Sequence, residues 1–261
     1  MSELPILPHV LAADLALYAY RTRVSQTESA WRSWLSESLQ RRGFRVAFLL
    51  NVDDHEGFIA SNESACVVVF RGSDRMPDWV NNAYPKQVRY TDGMPGEALH
   101  GGYHLAVQSM IDRDASAAIR MHYDTMGPIH FVGHSKGGAL AAIAALRAWD
   151  AGLKVASLTT FGAPRCMNRA ASNRLSFLMG NRYSRFVNQW DPVPQAWWTT
   201  GLTHGGFERY IDREGDIRSR PGFWWKMWDR WQAWRDGDKS VALVHSMRTY
   251  HLAVTAWSHK R

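Results

Sequence analysis

The sequence predicts an α/β protein in which a mostly parallel central sheet is flanked by helices on both faces. Segments with strand patterns alternate with helical segments along most of the chain, which favours this arrangement. The run from Ala65 to Phe70 is continuously apolar, as in a strand buried on both faces. Gly133, Ser135 and Gly137 form a G-x-S-x-G pattern between an apolar run and an Ala-rich helical pattern, which is typical of a sharp strand-to-helix turn.

The composition fits one domain over residues 1–261, with a Trp-rich helical insertion at about 205–240. Hydrophobic residues make up 46% of the chain, which is ordinary for a globular protein. The net charge of +7 suits anionic partners, but no Lys/Arg block or zinc-finger spacing points to nucleic acid. Only two cysteines occur, and Cys66 is expected to be a buried thiol rather than half of a disulfide.

The N-terminal part is predicted to contain two helices and a β-hairpin. Apolar periodicity indicates helices over 8–22 and 27–42. Phe44 to Leu50 and Phe58 to Ala60 read as strands, joined by the turn at 51–57. That turn holds two aspartates, a histidine and a glutamate, but their spacing fits no metal site, so a solvated turn is expected.

The remaining chain continues the alternation of strands and helices. The predicted elements are a helix over 102–124, a strand over 129–132, a helix ending near Gly152, a strand over 154–161, a helix over 168–180, a strand over 185–188, a Trp-rich helix ending near 235 and a helix over 244–257.

Three residues are candidates for a nucleophile, a base and an acid. Ser135 lies in the strained turn, where its hydroxyl is lifted above the sheet edge. Asp191 follows a strand and precedes Pro192, which places its carboxylate at the carboxyl end of that strand. His245 stands at the entry to the last helix and supplies an imidazole, the usual general base. His251 and His204 are the rival bases, although the position of His251 inside the helix favours a packing role.

Two backbone N–H groups are candidates for an oxyanion hole. Lys136 follows the nucleophile at the start of its helix, where the helix dipole favours negative charge. The loop after an early strand normally supplies the second donor, and Ser73 occupies that loop. Arg71 at the same strand end is interpreted either as a substrate clamp or as half of a structural ion pair.

Six ordered motifs give the chain a resemblance to the class 3 lipases, the fungal-type family of α/β-hydrolases. The resemblance covers about Phe44 to Trp257. The motifs are Val68-Val69-Phe70-Arg71-Gly72-Ser73 with Asp78-Trp79, Leu99-His100-Gly101-Gly102-Tyr103, Gly133-His134-Ser135-Lys136-Gly137-Gly138, Thr160-Phe161-Gly162-Ala163-Pro164-Arg165, Asn188-Gln189-Trp190-Asp191-Pro192 and His245-Ser246-Met247 with Tyr250.

The resemblance implies an α/β-hydrolase fold and a serine ester hydrolase that acts on a lipid or related acyl ester. It implies Ser135, Asp191 and His245 as a catalytic triad, with Ser73 and Lys136 at the oxyanion hole and no metal or organic cofactor. Lys136 departs from the Leu or Gln usual at its position. A phospholipase A or lysophospholipase, and a catalytically silent binding module of the same fold, are the alternatives.

Two segments are candidates for covering the site or touching lipid. Fungal-type relatives carry a lid after the oxyanion strand, which here includes Trp79. In the helix at 222–235, Trp224, Trp228 and Trp231 share one face and the charged residues lie on the other. This pattern indicates an interfacial helix that docks transiently on a membrane or covers the site, with core packing as the alternative.

No stretch of the N-terminal region has the basic start and apolar core of a secretion signal, and no apolar run is long enough to span a membrane. The sequence therefore predicts a protein that is cytoplasmic at synthesis, with signal-independent export left open.

Overall fold

An eight-stranded sheet forms the centre of the molecule. The structure is a computed structural model, and it describes residues 4–20, 27–52, 55–73, 86–115, 127–197, 199–236 and 240–260. The strand order is β1-β2-β3-β6-β7-β9-β11-β12. These strands are β1 (Arg45–Val52), β2 (His55–Ser61), β3 (Cys66–Phe70), β6 (Ile129–His134), β7 (Val155–Phe161), β9 (Tyr183–Asn188), β11 (Phe207–Ile211) and β12 (Ile217–Ser219).

The five central strands, β3, β6, β7, β9 and β11, pair in parallel, while β1, β2 and β12 add antiparallel pairs at the two edges. The predicted hairpin and the predicted mostly parallel sheet are confirmed. Parallel pairing places the carboxyl ends of β6, β7 and β9 at one edge of the sheet, where α/β proteins hold their sites. Strands β3, β6 and β7 are buried along their whole length, which accounts for their apolar runs.

Helices cover both faces of the sheet and enclose two hydrophobic cores. The helices are α1 (His9–Tyr18), α2 (Glu28–Gln40), α3 (Gly101–Val107), α4 (Lys136–Asp150), α5 (Arg169–Met179), α6 (Phe223–Asp236), α7 (Val241–Val244) and α8 (Met247–His259). One core lies under α3, α4 and α5, and the other under α1, α2 and α8. Among the described residues, no helix combines the length and the apolar character that crossing a bilayer requires.

A second sheet of four short antiparallel strands, in the order β10-β8-β5-β4, was not predicted. Its strands are β4 (Gln87–Arg89), β5 (Ala98–His100), β8 (Met167–Asn168) and β10 (Leu202–Thr203). Strands of two or three residues carry no readable alternation of apolar and polar side chains. Their pairing joins segments that lie far apart in sequence.

Two predicted helices need correction. Among the described residues of the insertion at about 205–240, only α6 is helical, because the first half forms β11 and β12, which extend the main sheet. The helix predicted over 102–124 is α3 followed by a π-helix at Gln108–Ala115. Its remainder lies outside the described residues.

Both cysteines are free and buried, Cys66 in β3 and Cys166 after β7. Burial raises the pKa of each thiol to about 12, since the thiolate would lose its hydration.

Candidate active site

Ser135 occupies a strained turn between β6 and α4. Its backbone has φ 55° and ψ −130°, a conformation that residues with a side chain rarely adopt. The turn is possible because its glycines leave room. A Cβ on Gly133 would collide with the carbonyl of Gly137, and one on Gly137 would collide with the carbonyl of Phe70. The predicted strand-turn-helix geometry is therefore confirmed, with the serine at its apex.

The loop after β3 lies against this turn. A Cβ on Gly72 would stand 2.9 Å from the Cβ of Ser135 and 2.8 Å from the His134 carbonyl oxygen. Ser73 follows Gly72 in this loop and is half-buried. Lys136 is the first residue of α4, so its backbone N–H lies at the amino end of that helix, where the helix dipole favours negative charge. Both candidate oxyanion donors thus belong to segments that contact the turn.

Asp191 and His245 form a buried pair. The Nδ1 of His245 lies 2.8 Å from Oδ2 of Asp191. Asp191 also accepts hydrogen bonds from the Tyr250 hydroxyl (2.7 Å) and from the backbone N–H of Val193 (2.9 Å). Three donors offset the water that this buried carboxylate has lost. The imidazole is thereby held with Nδ1 toward the carboxylate and Nε2 directed away from it.

Local structure explains why these two residues meet. Asp191 follows β9, and the side-chain amide of Asn188 at the end of that strand donates to the Val244 carbonyl (2.8 Å). This bond ties the loop of the candidate acid Asp191 (residues 189–194, the acid loop) to the end of α7. His245 lies in the joint between α7 and α8. Gly162, with φ 57°, passes so close that a Cβ there would stand 3.0 Å from Asp191 Oδ2 and 3.1 Å from His245 Cε1.

The two candidate reactive atoms are not held by other hydrogen bonds among the described residues. Ser135 Oγ and His245 Nε2 are both buried, and neither has a hydrogen-bond partner within the part of the chain that the structure describes. In sites without substrate, the hydrogen bond between nucleophile and base is often long and shortens only in the complex. The arrangement can perform nucleophilic attack, proton transfer through an imidazole, and stabilisation of an oxyanion.

His134 and Tyr20 contribute contacts that the sequence did not reveal. The imidazole of His134 points away from the turn, and its Nε2 lies 2.7 Å from the carbonyl oxygen of His245. Its Nδ1 lies 2.6 Å from the hydroxyl of Tyr20, just beyond α1. Burial lowers the pKa of His134 well below its ordinary value and raises that of Tyr20, so both are neutral near pH 7. A neutral His134 with Nδ1 accepting from Tyr20 donates from Nε2 to the His245 carbonyl.

Tyr250 lies in the motif that contains His245, but the sequence alone assigned it no role. Its hydroxyl accepts from the Asn188 N–H (3.0 Å) while donating to Asp191. The spacing of five residues after His245 is the only sequence signal for it.

The rival residues lie elsewhere. His251 Nε2 is 2.8 Å from Asp14 of α1, and His204 Nε2 is 2.6 Å from the Pro194 carbonyl oxygen. Arg71 forms an ion pair with Glu56, which favours the structural interpretation over the substrate clamp.

The predictions for the two covering segments have different outcomes. Trp79 and the rest of the predicted lid segment, about Asp74 to Tyr84, lie outside the described residues. Trp224, Trp228 and Trp231 are exposed on α6, so the core-packing alternative for them is wrong. Within the described ranges, no group of three or more His, Cys, Asp or Glu side chains could hold a metal ion.

Comparison with known proteins identifies the family. The model of the family "Lipase (class 3)" matches residues 67–200, about half of the chain. A secreted mono- and diacylglycerol lipase A of Penicillium cyclopium is 29% identical over 150 residues, which cover 55% of this chain and 47% of that protein. The homologous lipase of Penicillium camembertii matches to the same extent. This chain thus spans about half the length of the curated relatives it matches.

Solved structures support the same fold. A fungal lipase structure has a TM-score of 0.68 at 21% identity and covers 96% of each chain. The lipase of Rhizopus microsporus var. chinensis has a TM-score of 0.66 at 20% identity, covering 80% of this chain and 77% of that one. A triacylglycerol lipase described as having a serine protease triad as its catalytic centre has a TM-score of 0.63 at 22% identity, with 78% of each chain covered. At these identities the likeness establishes the fold, which is that of the α/β-hydrolases.

The prediction of a cytoplasmic protein needs correction, because both curated relatives are named as secreted lipases. That prediction rests on the absence of a recognisable secretion signal, and such an absence is not evidence against export. The family model covers β3, which leads to the candidate oxyanion donor Ser73, the strained serine turn and the acid loop of the candidate acid Asp191, all of which lie at the same edge of the sheet. The chain belongs to the class 3 lipase family and has the α/β-hydrolase fold.

Proposed function

We propose that this protein is a serine hydrolase that cleaves acyl esters of lipids through a Ser135-His245-Asp191 triad and an acyl-enzyme. The observation that carries the proposal is the buried His245–Asp191 pair at 2.8 Å, which sits at the same sheet edge as the strained Ser135 turn. Family membership and the naming of relatives as acylglycerol lipases support the same substrate class.

In the proposed reaction, Ser135 Oγ attacks the ester carbonyl carbon while His245 Nε2 takes its proton. The carbonyl oxygen becomes an oxyanion, which the N–H groups of Ser73 and Lys136 stabilise. His245 then gives its proton to the leaving alcohol oxygen, and the acyl group stays on Ser135. Water, deprotonated by His245, attacks the carbonyl carbon of this acyl-enzyme. The bond between the acyl carbon and Ser135 Oγ then breaks, His245 returns the proton to Ser135 Oγ, and the fatty acid is released. Asp191 keeps the imidazole in the required tautomer and stabilises its charged form.

A fluorophosphonate probe tests the nucleophile. The wild-type protein is expected to gain one probe adduct on Ser135, while Ser135→Ala gains none and loses hydrolysis of p-nitrophenyl butyrate by at least about a thousandfold. The exposed serine variant Ser219→Ala is the matched control and should keep both properties. Labelling of Ser135→Ala, or residual turnover of more than a few per cent, would contradict the assignment. A wild-type protein that takes no label would be a silent binding module.

A phospholipase is the second candidate, favoured by the +7 net charge and by the exposed aromatic residues of α6. Fatty acid release from dioleoylglycerol and from phosphatidylglycerol should be compared at equal surface concentration, with Ser135→Ala as the blank. Faster release from the phospholipid would assign the protein to the phospholipases, and faster release from the glyceride would assign it to the acylglycerol lipases.

A further inference from the structure

Helix α6 carries its apolar side chains on the outside. Six of them are between 45% and 82% exposed, and we call this set the aromatic face. A soluble protein seldom exposes so much contiguous apolar surface on one helix unless the surface binds something. The aromatic face consists of Phe223, Trp224, Met227, Trp228, Trp231 and Trp234.

Polar contacts on the opposite side of α6 hold this orientation. Asp229 is buried and accepts a hydrogen bond from the Tyr210 hydroxyl (2.8 Å). Lys226 Nζ pairs with Glu208 (2.8 Å), and Arg230 Nε donates to a main-chain carbonyl of the acid loop (3.0 Å). Rotating the helix to bury its rings would break all three contacts and leave buried polar groups unpaired. Exposure of the aromatic face is therefore set by the packing of the helix.

A cavity of about 250 Å³ lies beside the N-terminal half of α6 and is rich in positive charge. Its walls include four cationic side chains, those of Arg165, Arg185, Lys226 and Arg230, against the single carboxylate of Glu208. Cations that crowd one enclosed space repel one another unless an anion joins them. We call this space the cationic cavity.

Arg185 shows that the positive charge is in excess. Its side chain is 9% exposed and pairs with Glu208, yet its Nε has no hydrogen-bond partner among the described residues. Burial and the nearby charge of Arg185 together lower the pKa of Arg165. The pKa of His204 in the cavity wall is also lowered, mainly by burial and secondarily by the charge of Arg185, so this histidine is neutral. A buried guanidinium N–H without an acceptor is a natural donor to a phosphate oxygen.

The rim of the cationic cavity belongs to the aromatic face. Phe223 and Met227 line the cavity and are exposed at its edge. Farther along the helix, the guanidinium of Arg213 lies 5.2 Å from the ring centre of Trp228, and that of Arg235 lies 5.0 Å from that of Trp231. An anion in the cavity would thus have apolar groups directly beside it. A phospholipid offers this combination, whereas free phosphate makes no use of the apolar rim.

We propose that the aromatic face and the cationic cavity form a docking site for a phospholipid surface, with a lipid phosphate between Arg185, Lys226 and Arg230. The tryptophan rings enter the interfacial region, where amphipathic aromatic side chains are favoured. A second cavity, of about 450 Å³, separates the C-terminal half of α6 from Trp190 of the acid loop and from Leu243, two residues before His245. Docking therefore brings the candidate active site next to the lipid.

Vesicle binding tests the proposal in the Ser135→Ala background, where no hydrolysis interferes and where the outcome does not depend on the proposed function. Co-sedimentation is measured with vesicles of phosphatidylglycerol and with phosphate-free vesicles of digalactosyldiacylglycerol. Lys226→Gln is expected to weaken binding to phosphatidylglycerol about fivefold and to leave binding to the galactolipid unchanged. Trp224→Ser combined with Trp228→Ser is expected to weaken binding to both vesicles about tenfold or more.

Two control substitutions test whether vesicle binding depends on this site or on the overall charge and hydrophobicity of the protein surface. Lys154→Gln removes an exposed lysine elsewhere, and Leu252→Ser removes an exposed apolar side chain of α8. Each should change binding less than about twofold, and melting curves confirm that every variant is folded. The phosphate assignment would be overturned if the Ser135→Ala protein without further substitutions bound both kinds of vesicle equally. It would also be overturned if Lys226→Gln did not weaken binding to phosphatidylglycerol vesicles.

Two other results would overturn the lipid assignment. Inorganic phosphate could raise the melting temperature through Lys226 while vesicles fail to sediment the protein, which would make a free anion the ligand. Light scattering could instead show a dimer that dissociates in the Trp224→Ser and Trp228→Ser variant, which would make a second copy of the chain the occupant.

Discussion

Asp191 is the residue on which the candidate site depends most heavily. Its carboxylate is buried and receives hydrogen bonds from His245, Tyr250 and the backbone of Val193. A buried carboxylate without such donors would be costly to maintain. Each donor also fixes a direction, so that the imidazole of His245 cannot rotate freely. Removing one donor should therefore affect both folding and the orientation of the base.

The two histidines near the end of the chain should behave differently. His245→Ala is expected to be as inactive as Ser135→Ala, because members of a triad act as a unit. His251→Ala should stay within a few-fold of wild type, since His251 pairs with Asp14 of α1 rather than with Asp191. The measurement is kcat/KM on p-nitrophenyl butyrate. An active His245→Ala together with an inactive His251→Ala would transfer the role of base to His251.

Tyr250→Phe tests the hydroxyl that bridges Asp191 and the backbone of Asn188. The free energy of unfolding is expected to fall by about 1–3 kcal/mol, because the Asn188 N–H loses its acceptor in a buried position. Turnover should fall about tenfold with little change in KM, since the hydroxyl orients the acid and does not touch substrate. Urea unfolding and steady-state kinetics measure the two effects. A wild-type kcat would show that Asp191 is held adequately by its other donors.

At the scale of elements, the crossing of β6, α4 and the loop after β3 creates the strained turn. The amino end of α4 lies so close to the carboxyl end of β3 that only glycine fits at position 137, and so close to the end of β6 that only glycine fits at position 133. The same closeness places the loop after β3, which carries the candidate oxyanion donor Ser73, beside Ser135. The strain at Ser135 is therefore maintained by the packing of three elements rather than by the turn alone.

Gly137→Ala should damage both stability and activity. The added Cβ would collide with the Phe70 carbonyl and with Arg71, which forces α4 and β3 apart at a cost of about 1–3 kcal/mol. Gly222→Ala before α6 is the matched control, because a Cβ there meets no atom within 4 Å and the φ of that glycine is ordinary. Thermal unfolding and ester hydrolysis are measured for both variants. A fully stable and active Gly137→Ala would refute the tight crossing.

At the scale of the whole molecule, buried histidines couple folding to pH. Burial lowers the pKa of His130 in β6 to about 4, against 6.5 for the exposed group. Above pH 6.5 the ring is neutral in both the folded and the unfolded state. Between pH 6.5 and pH 4 only the unfolded state takes up the proton, so stability is lost as the pH falls through this window.

His130→Asn should remove this contribution. The variant keeps a partner for Ser157 Oγ, which lies 2.8 Å from His130 Nδ1. In the wild type, the free energy of unfolding should fall more steeply between pH 6.5 and pH 4, by about 1.4 kcal/mol per pH unit, than in the variant. Urea denaturation at half-unit pH steps measures the difference. Identical slopes would mean that His130 is protonated in the folded state.

The local pattern of the chain determined the fold class and the three residues of the candidate triad. Strand β3 and the turn at Ser135 were predictable because continuous apolar runs and closely spaced glycines are local signals. Asp191 and His245 were predictable because each lies at a boundary between elements. Pro192 marks the boundary after Asp191, and the start of helical periodicity marks the boundary at His245. The insertion at 205–240 was only half predicted, because β11 gains its strand structure from pairing with β9.

The tertiary structure alone decided which side chains support these residues and which face of α6 meets solvent. Tyr20 and His134 are separated by 114 residues, and no local pattern records their hydrogen bond. Helical periodicity placed the tryptophans of α6 on one face but did not say whether that face packs inward. Buried partners for Asp229 and Lys226 settled the question, because satisfying polar groups in the interior outweighed burying the rings.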